Sequence, residues 1–408
     1  MQTYHPGETV ETPSGKFLVE RSLSQGEMAH AYRAVELSSG EPVLFKIYSH
    51  PVPDAKYCPW YPRYRDLQTD ISHRLTNIPG QALRMLAHFV HRRAYHQVIE
   101  WANGRPMDDL LPELNAEPTL EKPLLLAKVM LFTLKKVHEQ GVIHCDLKPG
   151  NYFAEEDPSL KMRYRLKMAD FDCSLVHGKP SPRDGALAGT FGYFSPEHLR
   201  FDMPTPASDV FTVGGIMLHE LLTGKHPFEP IIAEATTGDE ANTAIRAALE
   251  FGSVPPLDPA SSPRLASLPS EIPEIVRRCL SWRPEDRPTA EEVHAILLGG
   301  RLSRRLVLVG GPGGVLRFRF EGETAFGRDF CKRYFGVESL AVSRSHGRFV
   351  PNADRTEWCY HPESGATNPV LVGPDVAAAP VPLEAGQTFR VGAPSGGAVA
   401  FEMRVEFE

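Results

Sequence analysis

Cysteine is scarce in this chain of 408 residues, and its six copies (Cys58, Cys145, Cys173, Cys279, Cys331, Cys359) are scattered with no C-x-x-C pair. That spacing excludes a disulfide framework and a zinc ribbon, and it fits a reducing compartment. Long apolar runs are also missing. The most apolar stretch, around Val210–Leu222, is broken by His219 and Glu220 and is too short to cross a bilayer, and no charged-then-apolar leader opens the sequence. The expectation is a soluble, cytoplasmic protein with no membrane partner. Nor is there an excess of positive charge: 44 Lys+Arg stand against 51 Asp+Glu, a formal net charge of -7, and neither part of the chain is strongly basic. Nucleic acid is therefore not an expected partner. What remains is an ordinary globular composition, 42% apolar and 23% charged, on a chain longer than one hydrophobic core usually serves.

Two domains follow from the order of the patterns. Short strand-like runs (Lys16–Ser22, Ala29–Leu37, Pro42–Tyr48) separated by turns such as Ser38–Gly40 open the chain. A helix-period stripe then comes at Leu67, Ile71, Leu75 and Ile78, followed by an apolar run, His96–Trp101. Beyond it the pattern is mainly helical, with Leu124–Gln140, Ala207–Leu222, Glu271–Ser281 and Ala290–Leu298 the clearest cases, and Val254–Pro269 reads as a Pro/Ser-rich surface loop. A small β lobe over about 15–101 thus precedes a larger α lobe over about 102–298. From Arg304 onward short strands alternate with Gly/Pro turns, the pattern of an all-β sandwich. The boundary falls near Gly299–Ser303, giving domains over 1–300 and 303–408.

The strongest chemical signal is His144-Cys145-Asp146-Leu147-Lys148-Pro149-Gly150-Asn151, followed by Met168-Ala169-Asp170-Phe171-Asp172. This pair resembles the catalytic loop and metal-binding motif of the protein kinases, and the resemblance continues in family order. It runs through Gly189-Thr190-Phe191 to Pro196-Glu197, then Ser208-Asp209-Val210, then Arg283-Pro284-Glu285-Asp286-Arg287, and covers about residues 15–298. The resemblance implies the bilobal α+β kinase fold. It also implies that Asp146 orients the substrate hydroxyl and Lys148 neutralises the transferring phosphoryl group, while Asn151 and Asp170 hold magnesium (or manganese) on the phosphates of ATP. Lys46, in Val43-Leu44-Phe45-Lys46, would contact the α/β-phosphates, with Gly26 in the loop above them and Glu100-Trp101 at the adenine hinge. Glu197 with Arg287 would form a buried ion pair, and Asp209 would brace the catalytic loop. Lys148 and Thr190 resemble the Ser/Thr-specific members.

Several positions depart from the family pattern. The loop Ser24-Gln25-Gly26-Glu27-Met28-Ala29 keeps one glycine of three, which implies a stiffer cover over the phosphates. Bulky Leu44 and small Ala31 exchange sizes at the adenine roof, an exchange that conserves volume. Cys145 replaces the arginine that usually receives an activation-loop phosphate, so control through that contact is not expected. Cys145 and Cys173 are read as small buried thiols. Asp172 replaces the glycine of the metal motif and adds a negative charge beside it. The glutamate that should pair with Lys46 is absent, and helix phase makes Asp70 the candidate partner, with Asp66 less well placed.

The C-terminal part carries Phe326-Gly327-Arg328, Ser343-Arg344-Ser345-His346, Ala366-Thr367-Asn368 and Leu383–Gly392. In this order the segments resemble a forkhead-associated (FHA) domain over about residues 303–408. The resemblance implies a phosphothreonine-binding surface in which Arg328 and Ser343 grip the phosphate, Asn368 the peptide backbone, and His346 braces the loops. Pro369 stands where the family commonly has glycine. Two function classes are then open. One is an active Ser/Thr protein kinase, acting on protein substrates, whose FHA domain binds phosphothreonine on a substrate, a partner or the kinase itself. The other is a pseudokinase scaffold working through the FHA domain.

Overall fold

The computed structural model describes residues 3–25, 29–49, 56, 58–160, 163–181, 189–253, 257–301, 305–310, 316–336, 342–353, 355–366, 368–392 and 401–407. Gly26 and its neighbours Glu27 and Met28 lie outside the described residues, as does Thr367. The chain divides into two compact units, Met1–Gly300 and Arg301–Glu408.

Unit one opens with a six-stranded antiparallel sheet. Its strands are β1 (Thr9–Thr12), β2 (Gly15–Gln25), β3 (Ala29–Glu36), β4 (Pro42–Tyr48), β5 (Met85–His91) and β6 (Ala94–Glu100), in the spatial order β1-β2-β3-β4-β6-β5. Alternation along β4 sends Val43, Phe45 and Ile47 into an apolar cluster with Phe17, Val19, Tyr32 and Val98. The odd-numbered face is thereby closed, and Lys46 and Tyr48 share the opposite one. On that side helix α1 (Tyr61–Leu75) packs through Tyr61 and Tyr64 against Tyr48 and Tyr95. Its buried face is Tyr61, Tyr64, Gln68, Ile71 and Leu75. Of the expected stripe, Ile71, Leu75 and Ile78 are buried, Ile78 past the helix end, and half-buried Leu67 packs against Ile143 and Leu175.

The rest of unit one is mainly helical. Helix Glu121–Glu139 buries Leu126, Met130, Leu134 and Val137 at helical spacing. A second core helix, Pro206–Val210, continues through a wider π-type turn, Phe211–Met217, into Leu218–Thr223. At Gly215 a Cβ would sit 2.5 Å from Leu280 Cδ2, so glycine is what lets the segment after helix Glu271–Cys279 approach so closely. Of the expected loop Val254–Pro269, residues 254–256 lie outside the described residues, and the rest is not purely surface, because Leu257, Leu265 and Leu268 are buried anchors.

Beneath the second core helix lies the pair Glu197–Arg287. Two bonds of 2.7 Å join the carboxylate to Nη1 and Nη2, with side-chain exposures of 3% and 0%, and Ser208 Oγ donates to Glu197 Oε1 at 2.6 Å. Burial pushes Glu197 up, but the guanidinium outweighs it and holds the carboxyl below its ordinary value. Removing the carboxylate strands a buried cation, so Glu197→Ala is expected to cost about 3–5 kcal/mol in urea melts at neutral pH. Because the folded pKa is depressed, the pair's contribution is fully present above the ordinary glutamate range and is lost as pH falls through the folded value. The gap between wild type and variant should therefore narrow in acid.

Unit two consists of two antiparallel sheets that share one apolar core. One holds Leu306–Gly310, Leu316–Phe320, Val370–Val372, Asp375–Val376, Thr388–Val391 and Phe401–Phe407; the other holds Thr324–Phe326, Gly347–Pro351, Trp358–Pro362 and Val381–Pro382. Between them Phe326, Phe349, Tyr360 and Phe389 pack edge-on or tilted with centroids 4.8–6.3 Å apart. One element departs from the all-β expectation: Arg328–Phe335 is a helix. Phe330 and Tyr334, four residues apart, pack with their rings tilted and centroids 4.8 Å apart, and Gly336 ends the helix in the left-handed region at φ 65°.

Candidate active site

Lys46 reaches the site from β4. Its ammonium lies 2.7 Å from Asp170 Oδ1 and 3.2 Å from Asp172 Oδ2. Burial pulls this lysine down, but the two carboxylates outweigh it and hold its pKa above the ordinary value. Asp170 is pushed up by burial and pulled further down by Lys46, so the net shift is downward. Asp172 goes the other way, raised by burial and by repulsion from Asp170. Asp70 is not the partner of Lys46. It pairs with Arg74 Nε at 3.0 Å and Lys179 Nζ at 2.8 Å, and Asp66 pairs with Arg65. The reason is helical phase: the α1 side chain facing the site is Gln68, whose amide donates to the Phe171 carbonyl at 3.2 Å. Tyr48, two residues from Lys46 on the same face of β4, places its hydroxyl 2.8 Å from both Asp172 oxygens. Sequence reasoning missed this tyrosine, although the two-residue period from Lys46 would have found it. A cavity of only ≈ 30 Å³ remains between α1, Ile99 and the Asp170–Asp172 segment, so the helix is packed in against the site.

The catalytic-loop residues converge on the other side of Asp170. Thr190 Oγ1 donates to Asp146 Oδ1 at 2.6 Å, and Lys148 Nζ donates to Thr190 Oγ1 at 2.7 Å while standing 3.8 Å from Asp146 Oδ2. Asn151 gives its side-chain amide N–H to the Asp146 backbone carbonyl at 2.7 Å, and its backbone carbonyl accepts Ala169 N at 2.8 Å, tying the loop to the strand before Asp170. His144 fixes the geometry further, with Nε2 2.9 Å from Ala169 O. Within these two motifs Cys145, at φ 67°, and Asp170, at φ 66°, take left-handed backbone. Such strain persists only where surrounding contacts hold it. Here Asp209 does so, accepting His144 N at 2.8 Å and Cys145 N at 3.0 Å, with His138 Nε2 at 2.9 Å.

Residues 17–296 match the family model for the protein kinase domain. The chain belongs to the protein kinase family. Among its relatives are the serine/threonine-protein kinase PknL of Mycobacterium tuberculosis, 28% identical over 67% of this chain and 62% of that protein, and PknA of the same species, 26% identical over 72% and 64%. A Myxococcus xanthus serine/threonine-protein kinase, pkn3, is 25% identical over 69% of this chain and 49% of its own length. The chain thus spans less than two thirds of the length of these relatives.

Glu100 ends β6 with its carboxylate 2.5 Å from Lys167 Nζ and 3.4 Å from Arg84 Nε. Burial raises its pKa, yet the Lys167 ammonium prevails and the net shift is downward. The Arg33 guanidinium lies 5.1 Å over the Trp101 ring. Cys145 is buried, and burial pushes its thiol well above the ordinary value, while Cys173 is half-buried.

In unit two, Arg328 opens the helix Arg328–Phe335, its N–H bonded to Ser343 O at 2.9 Å and its Nε to Val342 O at 3.0 Å. The His346 ring ties the Ser343 segment to the Asn368 segment. Its Nδ1 accepts Ser343 N at 2.8 Å, and its Nε2 lies 3.0 Å from Asn368 O. At Gly327 a Cβ would fall 2.1 Å from Arg344 O, so only glycine lets the Arg328 segment close on the Ser343 segment. Arg328, Ser343 and Asn368 are each half-buried.

Proposed function

We propose that this chain is an ATP- and magnesium-dependent Ser/Thr protein kinase whose C-terminal unit is an FHA module reading phosphothreonine on a substrate, a partner or the kinase itself. The observation that carries the kinase reading is the linked set Asp146–Thr190–Lys148. A hydroxyl group at the position of the Thr190 contact would have its proton accepted by Asp146, while Lys148 offsets the charge on the phosphoryl group in flight. Asn151 spends its N–H on Asp146 O, which leaves its carbonyl oxygen as the ligand atom for a cation beside Asp170. Among the described residues no group of three or more His, Cys, Asp or Glu could hold a metal. A site of one carboxylate and one amide suits magnesium, which arrives with nucleotide phosphates and keeps waters. The metal would supply charge neutralisation on those phosphates. Lys46 would meet the α/β-phosphates, and Glu100–Trp101 would border the adenine.

The test is transfer of label from radioactive ATP with magnesium to the protein itself or to a basic protein, with the label mapped to serine or threonine. Absence of any transfer would favour the scaffold reading. In unit two, the bracing of the Ser343 and Asn368 segments by one buried histidine, with Arg328 held on the Val342 carbonyl, supports a phosphopeptide-binding end.

Control is expected to lie outside the usual activation-loop phosphate. Cys145 offers no cation for it, and Ser174 is buried with its hydroxyl donated to His144 O at 3.1 Å. Phosphatase-treated protein should keep most of its activity in the transfer assay. Near-complete loss would mean that another basic residue receives the phosphate.

A further inference from the structure

In α1 the only carboxylates are Asp66 and Asp70, and both are engaged by arginine or lysine on the outer side of the helix. The ammonium of Lys46 is nevertheless not left to Asp170 alone. Asp172 lies 3.2 Å from it, and the Asp172 carboxylate is held in turn by the Tyr48 hydroxyl at 2.8 Å. Lys46 and Tyr48 stand on one face of one strand, so they grip Asp172 together, and the Gln68 amide supports the same turn through Phe171 O. We infer that Asp172, braced by Tyr48, is the positioning carboxylate that keeps Lys46 aimed at the nucleotide phosphates, in place of any acidic residue of α1. This rests on the kinase reading above for the role of Lys46.

The division of labour follows from charge. One cation faces two carboxylates, and Asp170 is the one needed for the metal. When Asp170 turns to that duty, Lys46 keeps a fixed partner only if Asp172 remains with it. The charges of this ion pair lie within the sheet and the Asp170–Asp172 turn, and α1 reaches the turn through the uncharged amide of Gln68.

The experiment compares wild type with Asp172→Asn, an isostere that keeps a partner for Tyr48 and removes the charge, by calorimetry with magnesium-ATP and separately with adenosine. Adenosine has no phosphate for Lys46 to meet. The expected result is ATP affinity weakened by about tenfold, the size of one charge-assisted hydrogen bond, with adenosine affinity and melting temperature unchanged. Tyr48→Phe should shift ATP affinity in the same direction by less, and it applies the same criterion if Asp172→Asn does not fold. Equal weakening for ATP and adenosine would mean structural damage, and unchanged or tighter ATP binding would mean that Asp172 is only a charge near the phosphates; either overturns the inference. The kinase reading is judged by transfer, not by binding. A wild type that binds ATP in an Asp172-dependent way but transfers nothing would remove that reading and leave this inference standing. Transfer by wild type with indifferent ATP binding in the variant would do the reverse.

Discussion

Asp146→Ala and Asp170→Ala are each expected to lower phosphate transfer by more than about a thousandfold, because both act on positioning and on charge that develops in the transition state. The structure separates their effects. Asp146 receives Thr190 Oγ1 at 2.6 Å and stands beside Lys148, so its loss removes the proton acceptor and loosens the Thr190 contact, but leaves Lys46 and Asp170 in place. Nucleotide affinity should survive. Asp170 is different: it is the nearer partner of Lys46, at 2.7 Å, and the proposed metal ligand, so its loss should also weaken magnesium-dependent ATP binding. Radiolabel incorporation into the protein and into a basic acceptor, run beside calorimetry, distinguishes the two. Equal background label in wild type and both variants would sink the kinase proposal.

The kinase unit was largely legible in the sequence because its chemistry is carried by short, contiguous strings. Helices such as Glu121–Glu139 and Ala290–Leu297 follow the expected periodicities within a few residues, and the buried pair Glu197–Arg287 forms as the resemblance implied. The surroundings of Lys46 were not legible. Ile71 and Leu75 of the expected α1 stripe are buried, but the same face also carries two tyrosines and a glutamine, residue types that read as surface. Asp70, expected at the edge of that stripe as the partner of Lys46, meets Arg74 and Lys179 instead. Asp172, the second carboxylate on Lys46, read as an added charge beside the metal site, since its compensation lies in a different segment, on β4, which no local pattern connects to it. The helix Arg328–Phe335 escaped for a related reason. Eight residues carrying three aromatics give too short a period to separate from strand alternation, and only the capping glycine Gly336 marks it.

Arg328→Ala is expected to weaken binding of a phosphothreonine peptide to the full chain by about 2–5 kcal/mol, the range for truncating one member of a desolvated charge pair. The argument runs from how the side chain is held. Its backbone N–H is fixed to Ser343 O and its Nε to Val342 O, so the guanidinium is oriented before any ligand arrives. A planar fork set in place meets a phosphate dianion with little further loss of freedom. Ser343→Ala removes a single hydroxyl and should cost less, about 1 kcal/mol. His346 is 1% exposed and holds Ser343 N and Asn368 O through its two ring nitrogens, so His346→Ala should reduce binding by letting both loops move apart, and should also lower stability. The contrast is the test: Arg328→Ala loses affinity with the melting temperature intact, and His346→Ala loses both. Fluorescence anisotropy against phosphothreonine, phosphoserine and unmodified peptides, with circular dichroism of each variant, reads all of it. If wild type shows no preference for phosphorylated peptide, or Arg328→Ala binds as well as wild type, unit two is not a phosphothreonine reader.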